Sequence, residues 1–331
     1  MKPTRRLRLV PQIIGATCLL LVGVAVGRYS LAGHQVSPGQ LTCQREPGYD
    51  FINPLLFCDP VGEADSGRFA TLSSNLSSYI SEQVSQKNVD QVSVFVRDIN
   101  RREEFGIGAD QKYFPASLGK LPVMIAVYKQ AERDPAFMSR VVTTDPTDYN
   151  SGVEIQPSSP VGASKSATVA DLLESMVTQS DNNAFYALAR VINEKDYYGL
   201  FSTLRLPVAN EQDALADIIS PREVFNYFRV LYNATYLEKR YSKEALGTLA
   251  KANYKQGIAA VVPAEVRVSH KFGVHTIQQD GKLVQRQLHD CGIVYRGENP
   301  YFICVMTKSR GELKQVEGVI QEIAKRVYEQ D

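Results

Sequence analysis

The sequence has no tryptophan, only four histidines and five cysteines, and almost no net charge. It contains no Cys-x-x-Cys pair and no histidine cluster, so neither a zinc site nor another cofactor is expected. Basic and acidic residues number 37 and 36, and no long basic run follows the N-terminus, which argues against a nucleic-acid partner. The remaining composition is globular, with 44% hydrophobic residues in 331. This length suits one large domain or two lobes.

Charge is also missing from residues 10–27, an apolar stretch that follows four basic residues among the first eight. As a helix these 18 residues would span about 27 Å, close to the hydrocarbon thickness of a bilayer. Because basic flanks stay in the cytoplasm, we expect a cytoplasmic tail at 1–9, a single membrane anchor at 10–27 and an extracytoplasmic remainder. A cleaved signal peptide is the alternative, but the stretch is long and lacks a good cleavage site.

Four of the five cysteines follow this stretch, where an oxidising compartment permits disulfides. Cys43 and Cys58 bracket a short loop within residues 28–65, which otherwise has the Gly-, Pro- and polar-rich composition of a linker. Cys291 and Cys304 lie on two strand-like runs, and a turn midway between them would place them opposite each other. A disulfide and two buried free thiols are both open at this point.

Residues 66–331 show the periodicities of an α+β domain. Apolar residues recur at helical spacing from 68 to 89 and from 312 to 329. Alternating patterns predict strands at 91–100, 103–108, 266–275, 288–295 and 301–308, on either side of a helical block at 117–254. We therefore expect a five-stranded antiparallel sheet flanked by the terminal helices, with an all-helical lobe inserted in the middle and the membrane helix in front. A cleft between sheet and lobe suits a small-molecule site.

Ser117 and Lys120 lie one turn apart at the start of an apolar helix, in FPASLGKLPVM. A serine hydroxyl is a weak nucleophile without a base in hydrogen-bonding reach, and a buried lysine with a depressed pKa is such a base. Free N–H groups at the helix start would favour the negative charge that develops on an attacked carbonyl. Because Ser-x-x-Lys also arises by chance, this pair needs further support.

Two further motifs follow along the chain. Ser180–Asn182 (Ser-Asp-Asn) interrupts two apolar helical runs, either to aim side chains into a cleft or merely to cap the second helix. Lys271 and Gly273 lie in the strand-like run VRVSHKFGVH, where a glycine permits close backbone approach. Lys-x-Gly also occurs at Lys255, and the strand context selects Lys271.

In this order, Ser-x-x-Lys, Ser-Asp-Asn and Lys-x-Gly resemble the three motifs of class A β-lactamases and penicillin-binding proteins. The resemblance covers the chain from about residue 66 to the C-terminus. It implies that Ser117 is the acylated nucleophile and Lys120 its base or proton shuttle. Ser180 would relay a proton to the leaving group, and Asn182 would bind a substrate amide.

By the same resemblance, Lys271 would supply positive charge to the proton relay and to a substrate carboxylate. Backbone N–H groups of Ser117 and of Val274, one residue past Gly273, would form the oxyanion hole. However, Phe272 stands where the family usually has Thr or Ser, and a phenyl ring cannot donate the hydrogen bond that helps to hold the carboxylate. Specificity for penicillin-like acids is thereby weakened, and a different acyl donor becomes more credible.

A second departure concerns the glutamate that activates the deacylating water in class A β-lactamases. The Glu-x-x-Leu-Asn pattern that carries it does not occur. The corresponding stretch before Ser220 offers only Glu211, Asp213 and Asp217. Glu211 could stand in, although loop acids usually face water. Without such a base, an acyl-enzyme would form and then persist.

Two other polar groups are candidates for the rim of the cleft. His289 and Asp290 precede the strand-like GIVY, and they either line the cleft or form a strand-capping Asp beside a surface His. Tyr149, Asn150 and Ser151 fall in a connection that could wall the site opposite the Lys-x-Gly motif.

The sequence therefore predicts a membrane-anchored, extracytoplasmic serine hydrolase that is acylated by a β-lactam. A D-alanyl peptide of the cell wall shares the same acylation step, so a carboxypeptidase or transpeptidase is one alternative. A catalytically silent domain that binds the wall or senses antibiotics is another, although the presence of all the acylation residues argues against full silence.

Overall fold

The computed structural model of the protein describes residues 40–61, 69–101, 103–208 and 216–330. The predicted tail at 1–9 and anchor at 10–27 lie outside these ranges. Within them, no helix combines the length and the apolar character needed to cross a membrane.

A central antiparallel sheet confirms the predicted α+β class. In chain order the strands are β1 (Gln40–Arg45), β2 (Leu55–Val61), β3 (Gln91–Asp98), β4 (Glu104–Ile107), β5 (Val141–Thr143), β6 (Ser166–Thr168), β7 (Val268–Gln279), β8 (Lys282–Val294) and β9 (Tyr301–Ser309). Five of them form the central sheet, in the spatial order β4-β3-β9-β8-β7. All neighbours in it are antiparallel. The pairs β1-β2 and β5-β6 form two small separate sheets.

The helices divide into a terminal pair and an inserted lobe, as expected. They are α1 (Ala70–Ser85), α2 (Lys120–Arg133), α3 (Val169–Thr178), α4 (Asn182–Ala189), α5 (Glu194–Leu204), α6 (Pro221–Tyr232), α7 (Lys239–Ala250) and α8 (Leu313–Tyr328). Short 3₁₀ turns occur at Ala116–Gly119, Pro135–Ser139 and Ile258–Ala260. Helices α1 and α8 come from the two ends of the domain, whereas α2 to α7 form the lobe between β4 and β7.

The alternation of side chains along the strands explains why the sheet is covered on both faces. Val94 belongs to a core with Leu76 of α1 and Ile320 of α8. Its neighbour Phe95 points the other way and contacts Phe302 in the core of the helical lobe. Each face of the sheet therefore packs against helices, and the lobe lies on the face opposite the terminal pair.

The disulfide question left open by the sequence is answered for one pair. Cys291 of β8 lies opposite Cys304 of β9 in the antiparallel register, and the two form a disulfide buried inside the sheet. Cys43 lies on β1 and Cys58 on β2, at the two ends of the predicted loop. Their pairing stays a prediction, because the side chains of both cysteines lie outside the described residues.

Candidate active site

The candidate nucleophile lies where the chain enters the helical lobe. Ser117 occupies the 3₁₀ turn that leads directly into α2, whose first residue is Lys120. The Nζ atom of Lys120 lies 2.9 Å from Oγ of Ser117. The one-turn spacing in the sequence therefore places base and nucleophile within hydrogen-bonding distance.

The amino group of Lys120 is buried among oxygen atoms of the Ser-Asp-Asn segment. It donates to the backbone oxygen of Ser180 at 2.6 Å and to Oδ1 of Asn182 at 2.7 Å. Only 3% of the Lys120 surface is exposed. Burial, followed by the charge of the nearby Lys271, holds the pKa of Lys120 well below its ordinary value, while Asp181 opposes the shift. The lowered pKa makes it easier for Lys120 to lose its proton and to act as a neutral amine base next to Ser117.

The Ser-Asp-Asn segment both caps a helix and lines the site, so its two interpretations from sequence are compatible. Asp181 is fully buried and accepts hydrogen bonds from the N–H groups of Asn183 and Ala184 at the start of α4. Ser180 adopts a left-handed backbone conformation, with φ of 60°. This uncommon conformation for a non-glycine residue turns the chain between α3 and α4 and directs the hydroxyl toward the lysines.

The connection at Tyr149–Ser151 is held against this segment. The Nδ2 group of Asn182 donates to the backbone oxygen of Tyr149 at 3.0 Å, and Asn150 accepts from the N–H of Asn182 at 2.8 Å. Tyr149 lines the cavity, and Asn150 is buried and also donates to Asp181. Ser151 is exposed and is not among the described cavity-lining residues. Two of the three wall candidates thus border or support the site.

The Lys-x-Gly motif lies on the edge strand β7. Nζ of Lys271 donates to Oγ of Ser180 at 3.0 Å and to the backbone oxygen of Phe272 at 2.9 Å. Lys271 is 1% exposed, and burial lowers its pKa to about 7, against the opposing effect of Asp290. Lys255, the other Lys-x-Gly candidate, lies in an exposed loop.

Gly273 permits β7 to approach the backbone of the nucleophile. A Cβ atom on Gly273 would lie 2.9 Å from the backbone nitrogen of Ser117 and 3.1 Å from Cβ of Ala116. Any side chain at this position would therefore push the strand away from the 3₁₀ turn. Val274 follows directly and lines the cavity, so the two N–H groups predicted for an oxyanion hole belong to adjacent segments.

The cavity beside Ser117 is walled mainly by aromatic and aliphatic side chains. Its volume is about 520 Å³. Its aromatic residues include Tyr149, Phe185, Tyr186, Tyr197, Phe201 and Tyr227. The sequence interpretation missed most of these, because aromatic residues at helical spacing equally indicate an ordinary core.

Both sequence interpretations of His289 and Asp290 are wrong. The two residues lie in the middle of β8, not before it, and both are completely buried. His289 bonds to the backbone oxygen of Phe114 through Nε2 at 3.0 Å. Asp290 bonds to Nδ1 of His270 at 2.8 Å and accepts from the N–H of Ile258 at 2.8 Å. They support the site from within the sheet and do not line the described cavity.

The acids considered as replacements for the missing glutamate do not line the described part of the cavity. Glu211 and Asp213 lie outside the described residues. Asp217 is bound by Lys308 and by Nε2 of Gln287, and these two partners contribute to holding its pKa below the ordinary value. Among the cavity-lining residues within the described ranges, none is an Asp or Glu.

The fold is similar to those of known structures. TLA-1 extended-spectrum β-lactamase has a TM-score of 0.66 at 18% identity, over 78% of this chain and 98% of that one. PBP-A has a TM-score of 0.63 at 19% identity, over 77% of this chain and 95% of that one. A class A β-lactamase from Mycobacterium abscessus has a TM-score of 0.63 at 17% identity, over 76% of this chain and 98% of that one. These identities show a shared fold, and a search of curated proteins finds no significant match.

Fold and motifs together define the β-lactamase and penicillin-binding superfamily of serine hydrolases. Within it, a family profile described as the beta-lactamase enzyme family matches residues 75–330. The chain belongs to this family.

Proposed function

We propose that this protein forms a covalent acyl-enzyme on Ser117 with a β-lactam, and that the adduct is hydrolysed slowly. The observation that carries the proposal is the contact of 2.9 Å between Nζ of the buried Lys120 and Oγ of Ser117, which lines the cavity. A lysine whose pKa is depressed by burial can accept the serine proton near neutral pH.

The acylation step follows from the contacts of these residues. Oγ of Ser117 attacks the lactam carbonyl as its proton moves to the neutral Lys120. The new C–O bond replaces the C–N bond, and the leaving nitrogen receives a proton from Oγ of Ser180. Ser180 in turn contacts both Lys120 and Lys271, at 3.2 and 3.0 Å, and regains a proton from that side. The N–H groups of Ser117 and Val274 are the proposed donors to the oxyanion.

The second step is proposed to be slow because no carboxylate base for the attacking water lines the described part of the cavity. The described residues around the cavity include no carboxylate, and Lys120 is held by three oxygen atoms besides that of Ser117. An ester in a site without water activation persists. A similar structure, a variant of PBP-A, is described as an acyl-enzyme complex with penicillin G, which supports a stable adduct as a product of this fold.

Intact-mass measurement tests the proposal directly. The full-length chain in detergent is mixed with a fluorescent penicillin, and the adduct is followed over time beside a Ser117→Ala control. We expect one adduct that depends on Ser117 and decays over minutes to hours. Absence of any adduct would refute acylation, and rapid turnover would show that another group replaces the family's glutamate. If a D-alanyl peptide is instead cleaved much faster than the β-lactam adduct decays, the peptidase alternative is favoured.

The proposed location is the outer side of a membrane, to which residues 10–27 anchor the chain. This part of the proposal is supported by the absence of charged residues from this stretch, by its length, which is sufficient to span a bilayer, and by the basic residues that precede it. Fractionation checks it: the full chain should pellet with membranes and resist alkaline extraction, whereas a chain that lacks residues 1–27 should not. If the expressed full-length protein is instead recovered in the soluble fraction and is shortened at its N-terminus, the cleaved signal peptide is favoured.

A further inference from the structure

The cavity beside Ser117 offers little positive charge to an incoming substrate. Among the described residues that line it, Lys120 is the only Lys, Arg, Asp or Glu. Its amino group already contacts Ser117, Ser180 and Asn182. The sequence between Val208 and Ala216 adds two acids and no Lys or Arg. An anionic substrate group would therefore meet aromatic walls without a cation to pair with.

Lys271, the other cation of the site, is covered by its own neighbour. The ring of Phe272 lines the cavity, whereas Lys271 does not. Nζ of Lys271 lies 4.4 Å from the centre of this ring and donates to Ser180 and to the backbone oxygen of Phe272. The charge is thus engaged by a hydroxyl, a carbonyl oxygen and an aromatic face, and the surface presented to a substrate is phenyl.

The covering ring is fixed in place. Tyr254 stacks on Phe272, with ring centres 4.2 Å apart and planes inclined by 21°. The hydroxyl of Tyr254 in turn donates to Glu317 of α8 at 3.3 Å. A rotation of Phe272 that opened Lys271 to a substrate carboxylate would therefore break this stacking contact.

His275, further along β7, does not supply the missing cation either. His275 contacts the ring of Phe114, with ring centres 4.2 Å apart, and burial lowers the pKa of His275 below its ordinary value. It is therefore uncharged at neutral pH. Transfer of an unpaired carboxylate from water to such walls costs far more than transfer of a neutral ester or amide.

We infer that the preferred acyl donor is uncharged where a penicillin carries its carboxylate, and that its acyl group is aromatic or branched aliphatic. This inference rests on the proposed acylation of Ser117 and narrows its substrate class. The covalent step is unchanged: the Ser117 Oγ–carbonyl bond forms, the carbonyl–leaving-group bond breaks, and the serine proton passes through Lys120 and Ser180 to the leaving atom.

Benzylpenicillin and its methyl ester form a matched pair of probes, since they differ only by the methyl group that removes the negative charge. Both are mixed with the full-length protein in detergent, and the second-order rate of adduct formation is measured by intact mass. An adduct that retains the methoxy group assigns the attack to the lactam carbonyl. We expect the ester to acylate Ser117 about tenfold faster than the acid or more, because only the acid must bury a charge.

The variants Phe272→Thr and Phe272→Leu test whether Phe272 causes the preference for the ester over the acid. Threonine supplies a hydroxyl and opens a path to Lys271, so the preference for the ester should shrink or reverse. Leucine keeps the wall apolar and should retain the preference. Equal rates for acid and ester in the natural protein, or a faster acid, would overturn the inference while leaving acylation intact. If neither probe gives a Ser117-dependent adduct, the proposed function itself has failed.

Discussion

Lys120 and Lys271 place their amino nitrogens 3.2 and 3.0 Å from a single oxygen atom, the hydroxyl of Ser180. Both side chains are buried, so protonation of both at once is costly. Burial lowers the pKa of each, and the charge of Lys271 lowers that of Lys120 further. These shifts favour a neutral Lys120 beside a charged Lys271, which is the combination that acylation requires.

The rate of Ser117 acylation should fall as the pH rises through about 7. Lys271 has a pKa of about 7 and loses its proton in this range, whereas burial and the charge of Lys271 hold the pKa of Lys120 well below its ordinary value. Stopped-flow measurement of fluorescent penicillin binding from pH 5 to 9 checks this. In Lys271→Gln the rate should be lower and flat across this range. A decline near pH 7 that survives in Lys271→Gln would assign the titration to another group.

Asp290→Asn should move this alkaline decline to lower pH, by about one unit. Asp290 is the negative charge that opposes the lowering of the Lys271 pKa, and asparagine keeps the shape of the side chain. The pH profile of acylation is the measurement. Asp217→Asn is the matched control, because that acid is bound to Lys308 and Gln287 instead. An unmoved profile with a folded Asp290→Asn protein would contradict the coupling.

Gly273→Ala should slow acylation about a hundredfold or more, because its Cβ would lie 2.9 Å from the Ser117 nitrogen and displace the strand from the nucleophile. Acylation rates and thermal unfolding are measured together. Gly318→Ala on α8 provides the comparison, since its Cβ would meet no atom within 4 Å. That change should leave the rate unaltered and raise the stability of the helix slightly. If the Gly273→Ala protein is acylated at the natural rate, acylation does not depend on the close approach of β7 to the Ser117 backbone.

Replacement of both Cys291 and Cys304 by alanine should lower the free energy of unfolding by about 2–4 kcal/mol. The disulfide closes a loop of sequence separation 13 between two buried strands. Urea unfolding monitored by circular dichroism gives the value. Acylation at 25 °C should stay within a few-fold of the natural rate, because neither cysteine lines the cavity. If instead acylation is lost while the protein remains folded, the bridge has a role in the site.

The sequence predicts the motif residues and the register around the disulfide, because short spacings and alternation are local properties. Its error at His289 and Asp290 has a local cause as well. β7 and β8 extend to a turn at Asp280 and Gly281, both with positive φ. This Asp-Gly pair is a strong hairpin signal, and with it both residues would have been placed in mid-strand.

The aromatic lining of the cavity was beyond sequence reasoning. Phe185 and Tyr197 come from different helices and meet the site only because the lobe folds back on the sheet. The same holds for the stacking of Tyr254 on Phe272, which depends on the path of the loop before the last 3₁₀ turn. Such contacts are set by tertiary packing, and no periodicity within one segment encodes them.

The sheet order has a consequence for how the chain acquires its structure. β9 lies in the middle of the sheet and pairs with β3, so that Gln91 is bonded across to Lys308, near the far end of the domain. The strand that joins the two halves is thus synthesised after the other four strands of the sheet. Contacts so distant in sequence slow folding. Until β9 is made, β3 and the Lys271 strand remain unjoined, and the exposed strand edges of the nascent chain favour aggregation.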